Sequence, residues 1–204
     1  MNENDILKGR LKDLANAAFR QNRYTYTNFL SAADMEVFYS NLEPLSFAGY
    51  TIFGGRESCD RVMIAFGNEA DCGYAPAFPI CTMKVSAVSD KFSDDLNHRD
   101  FLGALMNLGI EREMVGDILV TESTHSGKHN NAYIFCVDTV ADYIAENLTK
   151  IRHTNVKCTF CSTQDTYEIQ IKKEPLHIIA ASASADAVTA TITGLSRSST
   201  SLLF

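Results

Sequence analysis

No part of this chain is basic. Lys and Arg number 18 against 25 Asp and Glu, a formal net charge of −7. The shortage of cations runs throughout, with 7 basic and 10 acidic residues over 1–72, 8 and 11 over 73–162, and 3 and 4 in the remainder. Bulk charge therefore excludes a general polyanion binder, and any contact with nucleic acid has to be made by a local patch. Long apolar runs are missing too; none approaches the roughly 20 residues of a membrane-spanning helix. The polar start MNENDILKGR lacks a secretory pattern. Motifs for chemistry are equally scarce. There is no GxxxxGK followed by Ser or Thr to cradle phosphates, no GxSxG, no HExxH, and no carboxylate pair with an evident partner. This predicts a non-enzymatic chain with no cofactor, no metal and no membrane segment.

Six cysteines, Cys59, Cys72, Cys81, Cys136, Cys158 and Cys161, are read as reduced thiols of a cytoplasmic protein. Cys158 and Cys161 have the spacing of a zinc or redox pair, but a strand would put them on opposite faces, and no second pair accompanies them. His125 and His129 flank Ser126-Gly127-Lys128 in a segment rich in turn-formers and are read as solvated loop residues.

The most informative stretch is Asn97 to Val120, NHRDFLGALMNLGIEREMVGDILV. Asn97 and Asp100 have the spacing of a capping box. Phe101, Leu102, Leu105 and Met106 then share a helical face, and Gly109 suits the left-handed end of the helix. Gly116-Asp117 reads as a turn before a strand. His98 and Arg99 fall in the first helical turn, where free backbone N–H groups attract anions. They are either phosphate contacts or solvated side chains.

Upstream, residues 4–20 read as an amphipathic helix whose apolar side holds Ile6, Leu7, Leu11, Leu14, Ala15, Ala18 and Phe19. Arg20 to Asn28 reads as a connector. Ser31 caps a second helix, with Met35, Phe38 and Leu42 inward and Pro44 as its end. Tyr50–Phe53 and Arg61–Phe66 read as paired strands around a glycine-led loop, Gly54-Gly55-Arg56 onward. The two glycines either make a turn or let a ligand approach the backbone, and the turn is the commoner use. Residues 68–79 read as the boundary loop.

Downstream, strands at 80–88, 117–122, 132–137 and 155–160 alternate with the Asn97 helix and a second helix capped by Thr139. The sum is β-α-β-β-α-β, a ferredoxin-like arrangement with two helices on one sheet face and the other face left free. Tyr133 and Phe135 are the aromatics that face could offer to bases. The alternation of β-strand 132–137 is apolar on both sides, however, so burial on both sides is the competing reading, and no RNP-type pattern is present. A further strand is expected around Tyr167, Ile169 and Ile171, another at 176–180, and a short helix at 188–194. Ser196 can cap a last helix starting at Arg197. A helix that stops on Ser-Leu-Leu-Phe predicts a chain cut just after another domain begins.

Several stretches together resemble the YlmH family of bacterial S4-domain RNA-binding proteins, encoded near cell-division genes. They are Lys91-Phe92, Asn97 to Met106 and Gly116 to Ile118, then Thr27 to Ser31, Phe53-Gly54-Gly55 with Arg61, Ala185 to Val188 and Leu195 to Ser198. Two departures stand out: Ser184-Ala185 where the S4 opening usually starts Arg-Leu, and Arg56 where the family tends to have Tyr. The resemblance implies an α+β chain with four parts. These are a small N-terminal α/β subdomain (1–72), a ferredoxin-like RNA-binding domain (73–162), linking strands (163–181) and the start of a truncated S4 domain (182–204). It also implies a non-enzymatic factor of the large ribosomal subunit, contacting rRNA or tRNA, active in rescue of stalled ribosomes and linked to cell division. The phosphate contacts expected from it are His98, Arg99, Arg197 with its cap Ser196, and secondarily Arg56 and Arg61. The rival reading is a protein-interaction module whose acidic N-terminal two-thirds docks a protein partner, with RNA binding residing only in the missing S4 segment.

Overall fold

The computed structural model describes residues 2–123, 127–166, 169, 178–193 and 196. It has two compact units, Met1–Gln170 and Ile171–Phe204.

The first unit opens with helix α1, Glu3–Gln21, which buries Leu11, Ala15 and Ala18. Ile6 and Phe19, expected on the same apolar side, are 52% and 56% exposed. They flank the buried stripe, which is narrower than the sequence suggested. Strand β1, Thr25–Tyr26, follows within the expected connector. Helix α2, Ala32–Tyr39, starts at a complete Ser31–Asp34 capping box. Pro44 does not end it. It sits in the first turn of a separate 3-10 segment, Glu43–Ala48, where a missing N–H costs nothing. Strands β2, Tyr50–Phe53, and β3, Met63–Phe66, pair antiparallel with Ile52 opposite Ile64, and the sheet order is β1-β3-β2. One short helix, α3 (Glu69–Cys72), interrupts the expected loop.

Next come strand β4 (Ile80–Ala87), helix α4 (His98–Asn107), strands β5 (Val115–Glu122) and β6 (His129–Val137), and helix α5 (Asp138–Asn147). A two-residue strand, β7 (Lys150–Ile151), then turns into β8 (Thr154–Cys161). All pairings are antiparallel and the sheet order is β5-β6-β4-β8-β7. The β-α-β-β-α-β succession read from the sequence is therefore present, with β7 added at one edge. Met83, Val85, Ile134 and Val156 of the sheet pack with Phe101 and Leu105 of α4 and Ile144 of α5 in one core.

The opposite face is not free. Phe135 and Val137 are buried there in a second core with Phe29, Met63 and Leu119. Glycine makes the fit possible. A Cβ on Gly55, whose φ is +105°, would stand 2.5 Å from the Phe135 ring, and one on Gly116 would stand 2.6 Å from the Phe29 ring. The Gly-Gly loop is thus more than a turn: Gly55 lies on an aromatic ring, and Gly54 is packed against the Arg61 carbonyl and the Cys59 side chain. Gly116-Asp117 likewise is no turn. Both residues lie within β5 at an irregularity between Val115 and Ile118, and the Asp117 carboxylate accepts the backbone N–H groups of Asp60 and Arg61 at 2.8 and 3.1 Å.

Two smaller expectations also change. Helix α5 starts from Val137 with no side-chain cap, so Thr139 lies inside its first turn. His129 to Asn131 belong to β6 instead of a loop, because His129 N–H reaches Asp95 and its carbonyl receives Leu96 N–H. On β8, Cys158 pairs with Val85 and Cys161 with Thr82, on opposite faces of the strand. Burial pushes the Cys158 thiol up to about 11 and that of Cys136 to about 12. The strand expected around Tyr167 and Ile171 lies outside the described residues but for Ile169, and Ile178–Ala180 form no strand. In the second unit the described element is helix α6, Ala185–Thr193, starting three residues before the expected one. Among the described residues no helix is long and apolar enough to cross a membrane.

Candidate nucleic-acid interface

Helix α4 starts as its sequence requires. Asn97 Oδ1 accepts the N–H groups of Arg99 and Asp100 at 2.9 and 3.3 Å, and the Asp100 carboxylate accepts Asn97 N–H at 2.9 Å. The donors an anion would have used at this helix start are thereby occupied, so anion binding here depends on side chains.

Those side chains diverge, since consecutive helical residues lie about 100° apart. His98 lines a recess of about 500 Å³ with Leu96, Ile118, Val120 and His129. Burial, then the positive charge of Arg112, lowers its pKa from 6.5, and Asp117 opposes the shift. A base with a lowered folded-state pKa binds fewer protons folded than unfolded between the two pKa values. Stability therefore falls as pH drops through the unfolded value near 6.5 towards the folded one. His98→Gln is predicted to shrink the stability lost between pH 7 and pH 5, measured by urea midpoints at both pH values. An unchanged loss would mean that His98 is solvated like a free imidazole.

Arg99 points the other way, into a groove of about 430 Å³ between α4 and the α5–β7 connection. Lys150 and Arg152 line the same groove from the β7–β8 hairpin, with Asn107, Asn147 and Thr149 between them. One carboxylate intrudes: Asp100 pairs with Arg152 at 3.6 Å. Among the described residues neither Arg99 nor Lys150 has a carboxylate within ion-pair distance.

Two residues of this groove are poor choices for stability alone. Arg152 opens a two-residue hairpin turn with φ +53°, a conformation that a side-chain-bearing residue adopts at a cost. Gly103 sits inside α4 and lines the groove, yet an added Cβ there would meet nothing within 4 Å. Alanine would fit and would favour the helix by about 1 kcal/mol. A glycine with open space above it lets another molecule's backbone come close.

Below the hairpin a polar network fixes a short 3-10 turn, Asp90–Phe92. Asp90 accepts hydrogen bonds from Ser123 Oγ (2.7 Å) and Asn130 Nδ2 (2.8 Å), Asn130 also donates to Ser93 Oγ (2.8 Å), and Lys128 Nζ donates to the Ser93 carbonyl (2.6 Å). Asn130, Ser93 and Ser123 are all buried.

The remaining expected contacts have other tasks. Arg61 donates to the carbonyls of Val115 (3.0 Å), Phe29 (2.8 Å) and Arg112 (3.4 Å), tying β3's lead-in to β5. Arg56 donates to the carbonyls of Thr166 and Ile169 at 2.7 and 3.3 Å. Ser196 is exposed in the second unit, and Arg197 lies outside the described residues. Of the expected residues that are described, Arg99 meets Lys150 and Arg152 in a groove with one carboxylate, whereas Arg61 lines a cavity where Arg10 and Arg112 are matched by Glu3, Asp34 and Glu113. Lys150 and Arg152 were missed because Arg-His carries none of the Asn-Gly or Asp-Gly signal of a tight hairpin.

Residues 76–165 match a family described as "Putative RNA-binding domain in YlmH". A solved structure, the cell division protein ylmH from Streptococcus pneumoniae, superposes with a TM-score of 0.60 at 17% identity, covering 81% of this chain and 94% of that one. That likeness speaks for the fold. The search of curated proteins returned no match. Both α4 and the Arg99–Lys150–Arg152 groove fall inside the matched segment. Residues 76–165 are thus similar to the domain described for YlmH, and the chain shares the fold of a solved YlmH protein.

Proposed function

We propose that this protein is a non-enzymatic, cytoplasmic RNA-binding factor whose groove of Arg99, Lys150 and Arg152 holds the RNA backbone. The observation behind this reading is the convergence of three cations, against one carboxylate, on one groove of a chain whose net charge is −7. Phosphate contacts position an RNA without reading its sequence, and guanidinium groups suit them. Gly103 and Arg152 support the reading, each trading local stability for an open, cationic surface. We read residues 73–162 as a ferredoxin-like domain and residues 182–204 as the opening of an S4 domain. The RNA is structured rRNA or tRNA of the large ribosomal subunit, and the biological setting is rescue of stalled ribosomes, with a link to cell division. His98 is a neutral hydrogen-bond donor in the separate recess it lines; Arg56 and Arg61 are braces; Arg197 and Ser196 belong to the S4 contact.

A salt titration of binding to a structured RNA tests the proposal. Three phosphate contacts predict a slope of about −2 to −3 in log affinity against log salt. Arg152→Gly should lower that slope by about 1 while leaving stability within about 1 kcal/mol of the wild type, since glycine relieves the left-handed backbone at some entropic cost. A flat wild-type slope would overturn the proposal. The second reading, a protein-interaction module, is favoured by the exposed Phe19–Phe47 pair, edge to face at 5.3 Å on the N-terminal part. It predicts that substitutions in the groove leave partner binding unaffected.

A further inference from the structure

Phe92 is the most exposed aromatic of the described residues, at 75%. Its position is nevertheless held by the buried network around Asp90, Ser93 and Asn130. Solubility would favour a polar residue there, and a mobile turn would let the ring fold back onto the protein. The network prevents that by pinning the residues on both sides of Lys91-Phe92.

Three observations set the kind of ligand. First, Lys91 Nζ lies 5.3 Å from the Phe92 ring centroid, so the ring is already engaged by a cation and keeps an open face. Second, the chain just after Phe92 is bonded to the hairpin that lines the groove. Asp94 accepts the backbone N–H of His153 at 2.9 Å, and Asp94 N–H donates to Thr154 Oγ1 at 2.7 Å. Third, the apolar surface here is small. Val88, 63% exposed, is the exposed large hydrophobic residue nearest in sequence, and Ser89, Lys91 and Asp94 are polar. A protein interface needs a contiguous apolar centre, whereas a nucleobase needs one ring face with cations for its phosphate beside it.

We propose that Phe92 stacks an unpaired base of the RNA whose backbone lies in the Arg99–Lys150–Arg152 groove, so that the protein prefers looped or bulged RNA over uninterrupted duplex. The inference rests on the RNA-binding reading above. Aromatic stacking on a base is worth on the order of tenfold in affinity.

The experiment uses the full chain, a hairpin RNA with an unpaired loop and a fully paired duplex of equal nucleotide number. Phe92→Ala should weaken hairpin binding about tenfold and leave duplex binding within about twofold, while Phe92→Tyr should keep the hairpin affinity. Loop 2-aminopurine should be quenched by the wild type and not by Phe92→Ala. Thermal midpoints confirm that both variants fold. Equal losses on both RNAs, or no loss on either, would overturn the stacking role while a retained salt slope leaves the groove standing. Failure of the wild type to bind either RNA would overturn both.

Discussion

Reversing two charges in the groove, Arg99→Glu with Arg152→Glu, is expected to weaken binding to structured RNA by about a hundredfold at low salt. Each substitution removes a charge-assisted contact and places an anion beside phosphate. Together they amount to about 3 kcal/mol, or roughly two decades in affinity. Both side chains are exposed, so the fold should change by less than about 1 kcal/mol. The control is Lys8→Glu with Lys12→Glu on the exposed side of α1. It shifts the net charge equally but touches no groove residue. Equal losses in both pairs would mean that overall charge, not the groove, sets affinity.

Arg61→Ala has the largest expected effect on stability. The guanidinium serves three carbonyls on two separate stretches of chain, Phe29 on one and Arg112 and Val115 on the other. Burial draws its pKa down, with Asp34, Asp117 and Glu113 opposing the shift. Deleting it takes the side-chain donor from the Phe29 carbonyl, leaves those of Val115 and Arg112 with one donor fewer, and opens the seam where Phe29 lies over Gly116. The cost should be about 3 kcal/mol, which lowers the melting temperature by roughly 6–12 °C for a chain of this size. Lysine should restore little, because a point charge cannot serve three acceptors in the fork geometry of arginine. Below the melting transition the salt slope of RNA binding should not change. A variant with wild-type stability and reduced RNA affinity would return Arg61 to the phosphate contacts expected from sequence.

The contrast between Arg99 and Arg61 shows what a sequence can and cannot convey. Local devices were legible: the Asn97–Asp100 and Ser31–Asp34 capping boxes, Gly109 at the end of α4 with φ +81°, and the alternation of strands and helices from 80 to 160. Each depends on neighbours a few residues away. The misread features depend on partners far along the chain. Gly116 looked like a turn because its reason, the Phe29 ring, comes from far earlier in the chain. Phe135 could have faced bases until Gly55 and Met63 covered it. Arg61 looked like a free cation because carbonyl acceptors leave no trace in side-chain identity. The groove had the same difficulty: Arg99 was visible at a helix start, but Lys150 and Arg152 join it only once β7 folds back beside α4. Strand β7 has two residues, too few for any alternation to register.

Lysine footprinting of the wild-type protein, with and without a structured RNA, tests the central claim most directly. Lys150 lies in the groove and Lys91 beside the stacking ring, while Lys8 and Lys12 are on α1 and Lys157 is on β8. All five are exposed in the free protein. Bound RNA is predicted to protect Lys150 and Lys91 from acylation and to leave Lys8 and Lys12 reactive. Protection confined to Lys157, or absent from Lys150, would contradict the assignment of the groove as the RNA-binding surface.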